Sequence, residues 1–207
     1  YHSQALSDLG LAYMNLGDKQ KALAFYDQVV KSAPKSAQSK SALQGIKEIY
    51  VAEGDADGYF DYAQNMGLES NVSQLTRDSM AYISAQKLYL ENKMEAATAS
   101  LSSYLKNYPQ GYYRNDALFY LSDCYVRAGN EAEAIVSLSE LAEQGQTQYS
   151  ERVLDKLSSM CYKSERWAEA AKAYRSLYDV TSDAKLKKSS ASGYVASTLK
   201  YADDEAL

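Results

Sequence analysis

Cys124, Cys161 and His2 are the side chains of this 207-residue sequence best suited to act as nucleophile, base or transition-metal ligand. The cysteines have neither CxxC spacing nor companion histidines, so zinc and thioredoxin-type chemistry have no support. An Asp-His-nucleophile relay would have to centre on His2, the one histidine, at the extreme N-terminus. No acid, base and nucleophile share a predicted pocket, and the expectation is a chain with no catalytic residue, no metal and no cofactor. A disulfide would need Cys124 and Cys161 to point at each other from helices whose axes lie about 8–10 Å apart. Buried free thiols are expected instead.

The elements that would position any chemistry are helices. Alanine, leucine, lysine, glutamate and glutamine recur throughout, and the two prolines, Pro34 and Pro109, leave long stretches uninterrupted. The fold class is read as all-α. A formal net charge of −5 removes the electrostatic footprint that binding a phosphate backbone requires, so nucleic acid is not an expected partner. No apolar run approaches the roughly 20 residues of a membrane span, and direct membrane insertion is not expected.

The two prolines reveal an internal repeat. Laying Pro109 over Pro34 places Ala97 over Ala22, Leu101 over Tyr26, Tyr104 over Val29 and Asn92 over Gly17. The segment AYMNLGDKQKALAFY (Ala12 to Tyr26) returns as CYVRAGNEAEAIVSL (Cys124 to Leu138) and as CYKSERWAEAAKAY (Cys161 to Tyr174). Weaker copies are IYVAEGDADGYFDYA (Ile49 to Ala63) and KLYLENKMEAATASL (Lys87 to Leu101). Small residues such as Gly10, Ala22, Ala97, Ala134 and Ala170 let antiparallel helices approach, and Leu6, Tyr13, Tyr26, Leu138 and Tyr174 fill the space between them. Gly17, Gly54 and Gly129 suit a left-handed stop after each first helix. In the second copy the exchange runs both ways, with Tyr59 in the small slot and Ala63 in the aromatic slot, so an altered packing geometry is expected there.

In wording and order, Leu6, Leu9, Gly10, Tyr13, Ala22, Tyr26, Val29 and Pro34 resemble the tetratricopeptide repeat. The resemblance implies a right-handed superhelical solenoid of antiparallel helix pairs, a single array over residues 1–207. Its hairpins are expected at about 3–36, 40–70, 78–111, 115–148 and 151–184, with a partial sixth at 187–207. Extra residues are expected near Ser36 to Ser39 and Gly67 to Ser73. The sixth hairpin is read as beginning near Ser182, with its second helix opening at DDEAL (Asp203 to Leu207), as in a piece of a longer array. The junction YLKNYPQGYYRNDALFYL (Tyr104 to Leu121) is similar to repeats of bacterial extracytoplasmic proteins, which implies a periplasmic or cell-envelope address, with the cytoplasm as the alternative.

The family resemblance further implies a non-catalytic scaffold that binds a protein or peptide along its concave, first-helix side. In register, the partner-binding positions are Tyr82, Gln86, Tyr89, Phe119, Tyr120, Asp123, Arg127, Arg152, Lys156, Tyr162 and Lys163. Tyrosine suits such a surface, having a large apolar body and a polar tip at low rotamer cost. The carboxylate clamp of chaperone-adaptor relatives is not matched: its slots hold Ser7, Leu11, Gly45, Ser79 and Ile83, or, two repeats later, Tyr82, Gln86, Tyr120, Arg152 and Lys156. A weak homodimer through uncapped ends is a further expectation. The alternative function is the regulatory or substrate-recruiting arm of an enzyme whose catalytic domain lies outside these residues.

Overall fold

The computed structural model describes residues 2–68 and 72–205, and these form eleven α-helices with no strand among them. They divide into two compact units. Unit 1, Tyr1–Tyr113, holds α1 (His2–Asn15), α2 (Lys19–Ser32), α3 (Ala37–Glu53), α4 (Ala56–Asn65), α5 (Gln74–Leu90) and α6 (Met94–Asn107). Unit 2, Arg114–Leu207, holds α7 (Arg114–Ala128), α8 (Glu131–Glu143), α9 (Ser150–Lys163), α10 (Trp167–Val180) and α11 (Ala184–Glu205). The protein is an all-α helical repeat fold.

One turn is repeated in both units. Gly17, Gly54, Asn92, Gly129 and Glu165 all have positive φ, between 59° and 79°, and each lies between a first helix and its second. Glycine adopts this conformation at no steric cost, while Asn92 and Glu165 hold it against the usual penalty on an L side chain. In unit 1, Asp18 and Asp55 follow their glycines and accept hydrogen bonds from the amides of Lys21 and Gly58, capping the second helices. Ser36 and Ser73 cap the longer first helices α3 and α5 in the same way. The extra repeat length lies largely in those two helices, 17 residues each against 14 in α1. Part of the extra length expected between Gly67 and Ser73 lies outside the described residues.

Packing follows the small-against-large alternation. Ala22, Ala97, Ala134 and Ala170 are completely buried where first and second helices cross. The ring of Tyr26 lies between two glycines: a Cβ on Gly10 would stand 2.5 Å from its Cε1, and one on Gly45 would stand 2.5 Å from its Cε2. Tyr59 and Ala63 are both buried in the second hairpin, whose α4 is only 10 residues long against 14 in α2 and α6.

Second helices of neighbouring hairpins in unit 1 are tied by tyrosine-to-aspartate hydrogen bonds. Tyr62 on α4 donates to Asp27 on α2 at 3.0 Å. Tyr108, at the end of α6, donates to Asp57 on α4, and Asn107 adds a 3.0 Å bond to the same carboxylate. Burial and the adjacent carboxylate push both phenols well above their ordinary range.

A more elaborate lock holds the chain after Pro109. Asp78 on α5 is 6% exposed; it accepts from Tyr104 Oη at 2.5 Å and from the Tyr112 amide at 2.7 Å. Tyr104 Oη accepts in turn from the Tyr113 amide at 3.1 Å. Gly111 makes this fit, since a Cβ there would approach Tyr104 Oη to 2.5 Å.

In unit 2, α11 packs on α10 and reaches α9, with Gly193 against the ring of Tyr174. It runs unbroken through Glu205, which corrects the reading of DDEAL as the start of a new helix: no residue from Tyr201 to Glu205 interrupts α-helical geometry. Lys187 from this helix sits 4.9 Å from the Tyr178 ring centroid.

Candidate functional site

The first helices α7 and α9 of unit 2 bring several of the expected partner-binding residues together. Residues 119, 123 and 127 recur at helical spacing on α7, as do 152, 156 and 163 on α9. The Phe119 ring stacks on Tyr149 with centroids 4.2 Å apart and planes at 13°, and the Arg152 guanidinium lies 4.8 Å from the same ring. Tyr149 is fixed in turn by donating to Asp116, so burial and this carboxylate hold its phenol well above the ordinary range. Beside the stack is a cleft of about 270 Å³, walled by Phe119, Ser122, Asp123 and Val126 from α7 and by Arg152, Val153, Asp155 and Lys156 from α9, with Leu138 of α8 also lining it. Asp123 carries a 2.6 Å bond from Arg127 Nε. One wall is therefore aromatic, the other cationic at Arg152 and Lys156, and Asp123 and Asp155 supply acceptors.

The other expected positions do not line this cleft. Tyr120 is half-buried with its ring edge-on to Phe119 at 5.7 Å, and Arg127 is exposed at the end of α7. Tyr162 packs edge-on against Trp167 at 5.1 Å, within the α9–α10 hairpin, and Lys163 is exposed at the end of α9. Tyr82, Gln86 and Tyr89 belong to α5 in unit 1. Tyr82 differs from the expectation of a ligand-facing ring. It is 4% exposed, stacked on Tyr113 at 4.4 Å with planes at 2°, and its hydroxyl accepts from Gln86 Nε2 at 2.9 Å. The locked turn at Gly111 carries Tyr113 over it. Gln86 and Tyr89 are half-buried. Tyr149 and Asp116 were not anticipated, since Tyr149 precedes α9 and so falls outside a search along helix faces.

Cys124 and Cys161 are both buried, and neither is in a disulfide. Burial pushes the Cys161 thiol up to about 11, with Glu169 adding to the effect and Arg166 opposing it. Relative to an ordinary value of 9.0, this lowers its thiolate fraction at pH 8 by about 100-fold. Iodoacetamide labelling of Cys161 followed by mass spectrometry should therefore be much slower in the native protein, where the residue is 0% exposed, than in urea. Equal rates would refute the buried placement. Among the described residues no group of three or more His, Cys, Asp and Glu side chains is arranged to hold a metal ion, and no helix is long and apolar enough to cross a membrane.

Two family models, each described as a tetratricopeptide repeat, match residues 3–36 and 116–147. These two segments carry tetratricopeptide repeats. The first of the two spans α1 and α2, and the second spans most of α7 with all of α8, so the Phe119 wall of the cleft stands on the first helix of a tetratricopeptide hairpin. No curated protein matches the chain. Among solved structures it is similar to YrrB, described as a TPR protein with an unusual peptide-binding site, at 18% identity and a TM-score of 0.42, covering 87% of each chain. It is similar to pilF of Pseudomonas aeruginosa at 15% identity and a TM-score of 0.44, over 99% of this chain and 96% of that one. It is also similar to the TPR domain of P58(IPK), at 15% identity and a TM-score of 0.41, over 98% of this chain and 66% of that one.

Proposed function

We propose that the chain is a non-catalytic scaffold that binds a peptide segment or partner domain on its first-helix face, with the α7–α9 cleft as the principal site. The observation that carries this reading is the cleft itself, where Phe119, stacked by Tyr149 and Arg152, stands beside the exposed Lys156. An apolar anchor on the partner would pack against Phe119, and acceptors flanking it would meet Arg152 and Lys156. The tetratricopeptide pattern is taken to extend through all five hairpins, supported by the shared left-handed turn. Gln86, Tyr89, Tyr120, Arg127, Tyr162 and Lys163 are read as the periphery of the binding face. A bacterial extracytoplasmic setting is proposed on the Tyr104 to Leu121 wording, in which the Asp78 lock gives the Tyr-Pro and Gly positions a mechanical purpose.

The test is recovery of interacting proteins by the immobilised chain, compared with Phe119→Ala, Lys156→Glu and their combination. Anchor residues at interface centres are worth about 2 kcal/mol or more, so the double variant should lose at least about 30-fold in affinity for a genuine partner. Unchanged affinity with intact circular dichroism would show that the cleft is not the binding site.

A further inference from the structure

The opposite, second-helix side of unit 2 contains a groove at positions that one pair of second helices in unit 1, α2 and α4, fills with a side chain. Tyr62 stands eight positions after its left-handed turn residue (62 against 54), and Asp27, which accepts its hydrogen bond, stands ten after its own (27 against 17). The matching positions of α10 and α8 in unit 2 (173 against 165, 139 against 129) hold Ala173 and Ser139. Both line a groove of about 480 Å³, to which α9 contributes Leu154, Leu157 and Cys161. Its volume lies in the range of sites that engulf a ligand group, and its apolar wall is what an aromatic ring buries against.

Two carboxylates, Glu143 and Glu169, and one lysine, Lys172, line the edges of the groove. Helix α8 carries Glu131, Glu133, Glu140 and Glu143 with no lysine or arginine. Glu140 is held by Arg114. Glu143, on the groove's edge, has a 3.9 Å approach from Lys172, and both side chains are largely in solvent. Glu169 on the opposite edge is bonded to Arg166 at 2.7 Å. A stronger cation arriving at Glu143 would displace a loose contact.

We propose that the α8–α10 groove is a second docking site, which takes a peptide segment inserting one aromatic side chain, in the place Tyr62 occupies in unit 1, with basic residues beside it facing Glu143 and Glu169. This site is independent of the first-helix cleft, on the other side of α9's hairpin, and its test uses different residues. The probe is a fluorescently labelled, alanine-based dodecapeptide with one tyrosine flanked by lysines; its controls carry alanine for the tyrosine or glutamates for the lysines. By anisotropy the parent peptide should bind at least tenfold tighter than either control. Ser139→Asp with Ala173→Tyr, which transplants the unit 1 pair into the groove, should abolish binding, while Phe119→Ala with Lys156→Glu should leave it unchanged. Should the filled variant fail to fold, Glu143→Lys with Glu169→Lys, both at exposed positions, should still weaken the parent peptide at least tenfold. Equal binding of parent and controls, full binding by a folded filled variant, or full binding by the charge-reversed one would overturn the proposal. So would saturable binding of free p-cresol with no binding of the peptide.

Discussion

Tyr26→Ala should destabilise unit 1 by about 3–5 kcal/mol, the range for deleting a large buried ring from a packed core. The effect is large because no neighbour can close the gap. Tyr26 is 5% exposed and faces Gly10 on α1 and Gly45 on α3, so the flanking surfaces carry no side chain that could rotate inward. The same geometry makes the reciprocal changes costly. A valine at Gly45 would drive its Cβ to 2.5 Å from the ring and should cost about 1–3 kcal/mol through overpacking. Urea unfolding followed by circular dichroism measures both, and Tyr26→Phe, which keeps the ring, should stay close to wild type. A Tyr26→Ala loss below about 1 kcal/mol would mean that the ring is not the wedge between the first and second hairpins.

Asp78→Ala should cost about 3 kcal/mol, since it removes a buried carboxylate that accepts two hydrogen bonds and strands the Tyr104 hydroxyl and the Tyr112 amide. The loss should be local as well as global. The amides of Tyr112 and Tyr113 owe their partners to Asp78 and Tyr104, so their hydrogen exchange should accelerate sharply in the variant while α1 and α2 change little. Tyr113 would also loosen its stack on Tyr82. Unaltered exchange at residues 112 and 113 would show that the turn is held by something other than this lock.

The hairpin register was legible because it depends on local chemistry. A small residue where helices cross and, at four of the five turns, a glycine or asparagine able to take positive φ are visible one turn at a time. Even Asn92 could be placed by laying one proline over the other, although Glu165 could not be told from an ordinary helical residue, since nothing in its own chemistry favours the left-handed region. The site was less legible for a physical reason. Helical periodicity predicts which way a side chain points from its own helix, but not what the chain returns to lay over it. Tyr82 has the spacing of a groove residue and is covered by Tyr113, delivered by a turn that follows the next helix. Tyr149 lies outside a helix yet supports Phe119. The groove at Ala173 and Ser139 leaves still less trace, because two small residues on different helices become a cavity only when compared with the Tyr62 and Asp27 pair.

A partner is expected to engage the α7–α9 cleft. Hydrogen-exchange mass spectrometry of the chain alone and saturated with a captured partner tests it most directly, peptide by peptide. Protection should rise over residues 116–127 and 149–159, and Lys156→Glu should remove the change. Protection confined to unit 1, or to α10 and α11, with the 116–127 and 149–159 segments unaltered, would contradict it.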